Sequence, residues 1–275
     1  MPEGPEIRQA ADRLATALTG QPVTELFFAF DHLRPYQWQL EGRKITAVAP
    51  RGKAMVIHFD NNWVIYSHNQ LYGQWLIRDA YDYPQTRRQL RLAIHNNHKS
   101  ALLYSASDIE VLPEGELDNH PYVSKLGPDL LDESVTLAQV QARFHNPTFQ
   151  RRRLATLLLD QQFLAGPGNY LRSEILFVAR VPPQARPVDC TPAQRDALAE
   201  AALTLTRRSY QTGGITNDVA QAKRLKQAGQ PRHAYRHWVF NRQGLPCFVC
   251  QTPIAKTRLG GRRLYYCPPC QEPFQ

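Results

Sequence analysis

Four cysteines near the end of the 275-residue chain restrict its possible folds more than any other feature. They are Cys247, Cys250, Cys267 and Cys270. The pattern C-x2-C-x16-C-x2-C lets each pair bind one tetrahedral Zn²⁺ ion from a tight turn. Gly260-Gly261, between the pairs, is typical of a β-hairpin turn. The pattern predicts a hairpin finger with one structural zinc ion, because two disulfides would fit a cytosolic chain poorly.

The distribution of charge points to a polyanionic partner. The net charge is +9, but residues 1–133 hold 13 basic and 17 acidic residues, whereas residues 134–275 hold 20 and 7. Four basic side chains surround the predicted hairpin turn: Lys256, Arg258, Arg262 and Arg263. Nucleic acid is therefore favoured over a membrane surface. On charge alone, a solvated basic face stays an equal alternative.

Length and hydropathy exclude other classes of protein. No apolar run approaches the ~20 residues of a membrane span. The N-terminal sequence MPEGPEIRQAAD lacks the apolar segment of a secretory signal. We therefore predict a cytoplasmic protein of two or three modules.

Apolar residues follow two different patterns along the chain. Residues 5–18 have the period of a helix, and β-branched and aromatic runs follow between residues 23 and 112. The predicted strands are 23–30, 54–59, 63–67, 74–77, 90–94 and 101–104. The later helices are predicted over 136–145, 148–163, 169–180 and 192–210, and residues 211–236 as a mobile connection. The chain is therefore predicted to be α+β and multidomain, with an antiparallel β-sandwich or barrel first.

A turn before one predicted helix is rich in glycine. Residues 164–169, LAGPGN, must bend sharply and can approach another molecule closely. Asn169 opens a helix whose free N–H groups and positive dipole end favour an anion such as a phosphate. A plain N-cap is the alternative role of this asparagine.

The N-terminus can carry chemistry. Removal of Met1 would leave Pro2 with a secondary amine, and an α-amino group has a pKa of about 8 against about 10.4 for lysine. Such an amine can attack a carbonyl-like sugar carbon and form an iminium ion. Glu3, or alternatively Glu6, would transfer protons. The alternative is an ordinary helix start with Pro5 in the first turn.

Together, four features resemble the formamidopyrimidine-DNA glycosylase/endonuclease VIII family. They are the initial PEGPE, Lys53 in RGKA, the segment 158–176, and the finger with Arg262 five residues before Cys267. The resemblance spans nearly the whole chain. Within the family, SHNQLYG (67–73) resembles the endonuclease VIII branch, and residues 105–115 lack an Arg-Phe pair like that of the formamidopyrimidine branch.

The resemblance implies a catalytic role for four residues. Pro2 would be the Schiff-base nucleophile, and Glu3 the proton donor that opens the sugar. Lys53 would donate the proton for β-elimination and Arg262 the one for δ-elimination.

The resemblance also implies DNA contacts. His68, Asn169 and Arg262 match positions that contact phosphates around the lesion. Gln70, Leu71 and Tyr72 match residues that fill the gap left by the everted nucleotide. A base inside a duplex is out of reach, and unstacking costs a few kcal/mol, which inserted side chains offset. For Gln-Leu-Tyr alone, ordinary strand packing is the alternative.

The family fold implies four segments. We predict a catalytic β-sandwich domain over residues 2–115 and a linker over 116–133. A helix-two-turns-helix domain follows over 134–236, and the zinc finger over 237–271.

Two residues depart from the family pattern. Pro167 stands where the family usually has Leu or Ile, so one backbone N–H is missing and the phosphate contact near Asn169 is altered. Lys125, a further candidate DNA-binding residue, stands where an Arg is expected, which keeps the charge but loses a bidentate fork.

The sequence thus predicts a bifunctional DNA glycosylase/AP lyase of base excision repair. It would act as a monomer on oxidised pyrimidines and abasic sites in duplex DNA. One alternative is the sister activity on oxidised purines, formamidopyrimidine or 8-oxoguanine. The other is a non-catalytic damaged-DNA-binding protein, which would need none of Pro2, Glu3 and Lys53.

Overall fold

Contacts between residues divide the chain into two units in the computed structural model, which describes residues 2–272. The first unit contains Pro2 and Glu6–Lys125. The second contains Glu3–Pro5 and the chain from Leu126 onward. Three residues at the start of the chain therefore belong, by their contacts, with the second unit.

The first unit combines one long helix with eight strands. In chain order, its elements are α1 (Gly4–Leu18), β1 (Glu25–Phe28), α2 (Gln37–Leu40), β2 (Ile45–Arg51), β3 (Ala54–Phe59), β4 (Trp63–His68), β5 (Gln74–Asp79), β6 (Leu90–His95), β7 (Lys99–Tyr104) and β8 (Asp108–Pro113). Two antiparallel sheets have the strand orders β1-β6-β7-β5 and β2-β3-β4-β8. Alternate residues of both sheets share one core with α1, for example Leu14, Ile57 and Leu92. The predicted sandwich is confirmed, with β2 and β8 as strands that the sequence pattern missed.

The second unit is mainly helical and ends in a hairpin. Its elements are α3 (Leu137–His145), α4 (Leu154–Leu157), α5 (Asn169–Val178), α6 (Pro192–Gln211), α7 (Val219–Gln227), α8 (Arg232–Tyr235), β9 (Ala255–Leu259) and β10 (Arg262–Tyr266). Thr136 and Thr191 cap α3 and α6 by capping boxes. The predicted α+β class is therefore confirmed.

The predicted helix over residues 148–163 is wrong. The chain forms a single 3-10 turn at Pro147–Phe149 and then only the four-residue α4. Arg153 is extended, and the N–H of Leu154 donates to the carbonyl of Ala185 instead of to its own helix. The spacing of buried leucines imitates a helical period because several short turns meet the same core.

The predicted mobile connection over residues 211–236 is also wrong, because it contains α7 and α8. Its anchors are polar. Thr216 and Asn217 are fully buried, and the Asn217 amide donates to the Tyr235 carbonyl over 3.0 Å. Asp218 caps α7 through the N–H of Gln221 at 2.8 Å. A count of apolar anchors could not detect this kind of attachment.

Helix α5 lies in the centre of the second unit. Its residues 170–177 are all buried, including the polar Arg172, Ser173 and Glu174. A helix buried on every side packs against neighbours all round. None of the helices within residues 2–272 combines the length and apolar character needed to cross a bilayer.

Candidate functional site

The side chain of Glu3 caps the start of helix α5. It is 2% exposed, and one carboxylate oxygen accepts the N–H of Gly168 at 2.7 Å and that of Leu171 at 3.3 Å. The other oxygen accepts the N–H of Tyr170 at 2.7 Å. The helix start carries unpaired N–H groups and positive potential, so a carboxylate is stabilised there. The residue next to Pro2 is thus held firmly by the helix.

Two close approaches make this cap possible. The N–H of Gly4 donates to the carbonyl of Gly166 at 2.8 Å, and a Cβ on Gly4 would lie 2.7 Å from the Gly166 Cα. A Cβ on Gly168 would lie 2.4 Å from the Glu3 carboxyl carbon. Neither contact could form with a side chain present, so these glycines admit the N-terminal segment.

The start of α5 binds an anion, as predicted, but this anion is the carboxylate of Glu3 and not a phosphate. Glu3 occupies the N–H groups that were expected to hold a phosphate. Asn169 is half-buried, and its side-chain oxygen accepts a hydrogen bond from Arg172 at 2.7 Å. Pro167 is buried, and its carbonyl accepts the Gln161 amide at 3.0 Å.

Three consecutive residues of α5 hold the C-terminal hairpin and the segment before it. Arg172 donates to the carbonyls of Leu259 and Arg263 at 3.1 and 3.0 Å. Ser173 accepts the N–H of Tyr265 at 3.3 Å. Glu174 accepts the N–H groups of residues 238–240 at 2.7, 2.9 and 2.8 Å. Sequence reasoning missed this role of α5, since charged residues on a predicted helix suggest an exposed face.

Burial changes the proton affinities of these groups. Burial raises the pKa of Glu174, whereas the hydrogen bonds from Thr216 and from the backbone lower it. Burial lowers the pKa of Arg172 to about 10. The positive charge of Arg262 lowers this pKa further, and the negative charge of Glu3 raises it. Arg172 is therefore a guanidinium cation at neutral pH, fully buried, with acceptors for both of its terminal nitrogens.

The hairpin has the predicted glycine turn and basic side chains. Gly260 and Gly261 have φ angles of 61° and 72°, the left-handed values that a two-residue hairpin turn needs. Four basic side chains around the turn are exposed: Lys256, Arg258, Arg262 and Arg263. Arg262 pairs with Leu259 directly beside the turn. The hairpin therefore presents a cationic tip to solvent.

The four cysteines, which flank this hairpin in the chain, come together. Their sulfur atoms all lie within 4.8 Å of one another, with Cys250–Cys267 at 3.3 Å and Cys247–Cys270 at 3.9 Å. Sulfurs bound tetrahedrally at about 2.3 Å from one ion would lie about 3.8 Å apart. Hydrogen bonds from Thr252 lower the pKa of Cys250 to about 6, whereas burial raises that of Cys270 to about 11. The cluster fits one metal ion.

In the first unit, Lys53 and His68 lie close to one aromatic residue. Lys53 is 5% exposed, and its N–H donates to the Tyr122 hydroxyl at 3.0 Å. The rings of His68 and Tyr122 meet edge to face at 5.4 Å. Burial lowers the pKa of His68, Asp108 raises it and Lys53 lowers it. Tyr122 was not predicted; no motif marks an aromatic 69 residues away.

The candidate gap-filling residues stand on a tight turn after β4. The N–H of Gly73 donates to the Asn69 carbonyl at 2.7 Å, and a Cβ on Gly73 would meet that oxygen at 2.5 Å. Leu71 is 57% and Tyr72 69% exposed. Gln70 has a φ of 49°, and its N–H donates to His68 Nδ1 at 3.0 Å. The turn therefore projects two large apolar side chains into solvent, which packing as a strand would have buried.

The last two candidates lie near the borders of the first unit. Pro2 is half-buried ahead of α1. Lys125 is exposed at the end of a 3-10 turn, Val123–Lys125. Met1 lies outside the described residues.

Comparison with known proteins agrees with the resemblance. Residues 1–106 match the formamidopyrimidine-DNA glycosylase N-terminal domain, and residues 126–221 match the formamidopyrimidine-DNA glycosylase H2TH domain. Endonuclease 8 of Escherichia coli is 48% identical over 271 residues, which are 98% of this chain and all of that protein. Endonuclease 8 of Klebsiella pneumoniae is 45% identical over 271 residues, again 98% of this chain and all of that protein.

Solved structures share the fold. Lactococcus lactis Fpg (MutM) in complex with DNA containing N7-benzyl-Fapy-dG matches with a TM-score of 0.82 at 18% identity, covering 98% of this chain and 100% of that one. The same enzyme in complex with abasic-site DNA matches with a TM-score of 0.82, also at 18% identity, over 98% and 99%. From the two domain matches and the full-length relatives, the chain belongs to the formamidopyrimidine-DNA glycosylase/endonuclease VIII family.

Proposed function

We propose that this chain excises oxidised pyrimidines from duplex DNA through a Schiff base on Pro2 and then cuts the strand by β- and δ-elimination. As a member of its family, the chain is a DNA glycosylase and AP lyase of base excision repair. The substrate class rests on the SHNQLYG segment and on the full-length similarity to proteins named endonuclease 8.

The observation that carries this proposal is the attachment of Glu3 to helix α5. Three backbone N–H groups fix its carboxylate, so the adjoining Pro2 begins from a fixed backbone position. An amine nucleophile gains most when its position is set before the substrate arrives. A protein that only bound DNA would need no such arrangement at its N-terminus.

In the proposed reaction, the Pro2 amine attacks C1′ of the damaged nucleotide and the base leaves. The sugar ring opens as Glu3 transfers a proton, and an iminium ion links Pro2 to C1′. Loss of the 3′ phosphate and then of the 5′ phosphate follows, with Lys53 and Arg262 moving the protons. The expected product is a one-nucleotide gap with phosphates at both ends.

DNA binding is assigned to several exposed groups. The cationic hairpin tip, Asn169, His68 and Lys125 would contact backbone phosphates, which carry no sequence information. Leu71 and Tyr72 would occupy the space left by the everted nucleotide, with Gln70 beside them. Their exposure and the hydrogen-bonded turn that carries them support this use. The protein would act as a monomer.

We assign zinc to the four-cysteine cluster. Four thiolates complete a tetrahedron, so the ion would be structural, with no open position for substrate. It would hold β9 and β10 in place behind Arg262. Chelation with metal analysis tests this: loss of zinc should unfold the finger and weaken DNA binding. Full DNA binding after complete metal removal would contradict the assignment.

Borohydride trapping on a duplex with an abasic site tests the nucleophile. An iminium ion between Pro2 and the sugar is reduced to a stable amine, giving a covalent complex that peptide mapping should place on Pro2. A peptide fused ahead of Pro2 should abolish trapping. Equal trapping by the fusion would refute the role of Pro2.

Cleavage of end-labelled duplexes tests the substrate class. Thymine glycol should be cut faster than 8-oxoguanine opposite cytosine. Faster cutting at 8-oxoguanine would favour the oxidised-purine activity. Tight binding with no cutting at either lesion would favour a non-catalytic protein.

A further inference from the structure

The fully buried Arg172 joins two of the groups that the proposed function assigns to DNA. Its two terminal nitrogens make four hydrogen bonds. Their acceptors are the carbonyls of Ala155, Leu259 and Arg263 and the side-chain oxygen of Asn169. The side chain is 0% exposed, so it touches no DNA itself.

The contact with Asn169 fixes which way the amide faces. A guanidinium can only donate hydrogen bonds, so the atom facing it at 2.7 Å must be the amide oxygen. The amide nitrogen, a donor, is thereby turned away from Arg172 on a half-buried side chain. Phosphate oxygens only accept hydrogen bonds, so this orientation is the one that a phosphate requires.

The contacts with the hairpin lie on both sides of its turn. Leu259 ends β9, Arg263 is the second residue of β10, and Arg262 lies between them in the chain, directly after the turn. Both carbonyls accept from the same guanidinium, at 3.1 and 3.0 Å. The backbone that carries Arg262 is thus held against the helix that carries Asn169.

We propose that Arg172 is a positioning residue which holds the Asn169 amide and the Arg262 hairpin in one fixed arrangement for the phosphates of the lesion strand. This inference rests on the proposed phosphate contacts of Asn169 and Arg262. The hydrogen bonds to four acceptors offset the free-energy cost of burying the Arg172 cation. Lysine could not replace it, since one ammonium cannot reach four separated acceptors in a planar fork.

A double-mutant cycle tests the link to Asn169. The Kd for a duplex with a tetrahydrofuran abasic analogue is measured for Arg172→Lys, Asn169→Ala and the double variant. We expect Arg172→Lys to weaken binding about tenfold in the native background but only about twofold when Asn169 is already Ala. Additive losses would overturn the inference, because a merely structural defect acts equally in both backgrounds.

Arg242→Lys is the matched control. Arg242 is also a buried arginine whose pKa burial lowers to about 10, but it donates to the carbonyls of Trp238 and Pro246. Its effect on Kd should be additive with Asn169→Ala. A coupling as large as that of Arg172 would mean that any loosening of this unit gives the same result, and would overturn the inference.

The products of strand cleavage give a second readout. Arg172→Lys should shift the products from δ- toward β-elimination, because the backbone of Arg262, the proposed proton donor for δ-elimination, is no longer held. Arg242→Lys should leave the product ratio unchanged. An unchanged product ratio in Arg172→Lys would overturn the inference that Arg172 positions the Arg262 hairpin.

Variants of Asn169 keep the inference testable if Arg172→Lys does not fold. Asn169→Asp retains the acceptor for Arg172 and loses the donor, whereas Asn169→Leu loses both. The Asp variant should melt near the native protein and above the Leu variant, and both should bind DNA about tenfold more weakly. Equal melting of the Asp and Leu variants would overturn the inference. Native DNA affinity of both would instead refute the phosphate contact in the proposed function.

Discussion

Two buried glutamates, Glu3 and Glu174, solve the same physical problem for different purposes. Each accepts three backbone N–H groups, from residues 168, 170 and 171 in one case and from residues 238–240 in the other. Glu3 caps a helix start and lies beside the proposed nucleophile. Glu174 lies within the same helix and holds the segment that leads into the finger. The comparison teaches that burial and hydrogen bonding alone do not distinguish a chemical carboxylate from a structural one.

The largest expected effect separates the two in activity. Glu3→Gln loses the proton transfer, so base excision should fall about 10²–10⁴-fold. Because both Glu3 oxygens accept backbone N–H groups, the new NH₂ group would also face a donor, and the melting temperature should fall as well. Single-turnover excision of thymine glycol and thermal melting measure this. An excision rate within threefold of the native rate would contradict the proposed proton transfer by Glu3.

Glu174→Gln should lose stability without a comparable loss of excision by the folded protein. The new NH₂ group would face a backbone N–H or the Thr216 hydroxyl, all of which donate to the carboxylate at present. Because a buried donor is left without an acceptor, the free energy of unfolding should fall by about 3 kcal/mol. Urea unfolding measures the loss. A native stability combined with a large loss of excision would reverse the comparison.

A smaller effect is expected from moving Glu3 without changing it. In Gly168→Ala the new Cβ would lie 2.4 Å from the Glu3 carboxyl carbon, so the carboxylate must shift. Excision should fall about tenfold or more, while the affinity for abasic DNA changes little. Gly115→Ala is the matched control, because no atom lies within 4 Å of its added Cβ. Similar losses in both variants would contradict the prediction.

The smallest effect concerns pH and the turn after β4. His68 Nδ1 accepts the Gln70 N–H, so the ring must be neutral there, and burial lowers the pKa of His68 below 6.5. Neutral His68 therefore supports the turn above pH 6.5, and this support is lost as the pH falls through the lowered pKa. Native excision should show an extra decline of about threefold in acid that His68→Asn lacks. Parallel pH profiles of the two proteins would contradict this.

Local patterns predicted the parts whose determinants are close together in sequence. The cysteine spacing indicated the four-cysteine cluster, Gly260-Gly261 the hairpin turn, and the pattern of residues 192–210 helix α6, and the structure contains all three. The strands with clear alternation were found for the same reason. Two strands, β2 and β8, were missed; β2 has only one fully buried position, and β8 alternates only in part.

Polar burial was the part that patterns could not predict. Arg172 and Glu174 occupy positions that suggest a solvated helix face, and residues 211–236 suggested a flexible connection. Each is ordered by hydrogen bonds to residues 17 to 91 positions away. Hydropathy carries no information on such partners, because a charged residue counts the same whether it is solvated or satisfied inside.

The sequence by itself determined the family, the α+β architecture and the residue types that the chemistry requires, since these depend on composition and spacing along the chain. Only the tertiary structure decided which anion meets the start of α5, and it is Glu3, 165 residues from Gly168. It also decided that Arg172 joins Asn169 to the hairpin. The physical reason is that a buried charge is tolerated only where donors and acceptors from distant segments converge on it, and that convergence exists only in the folded chain.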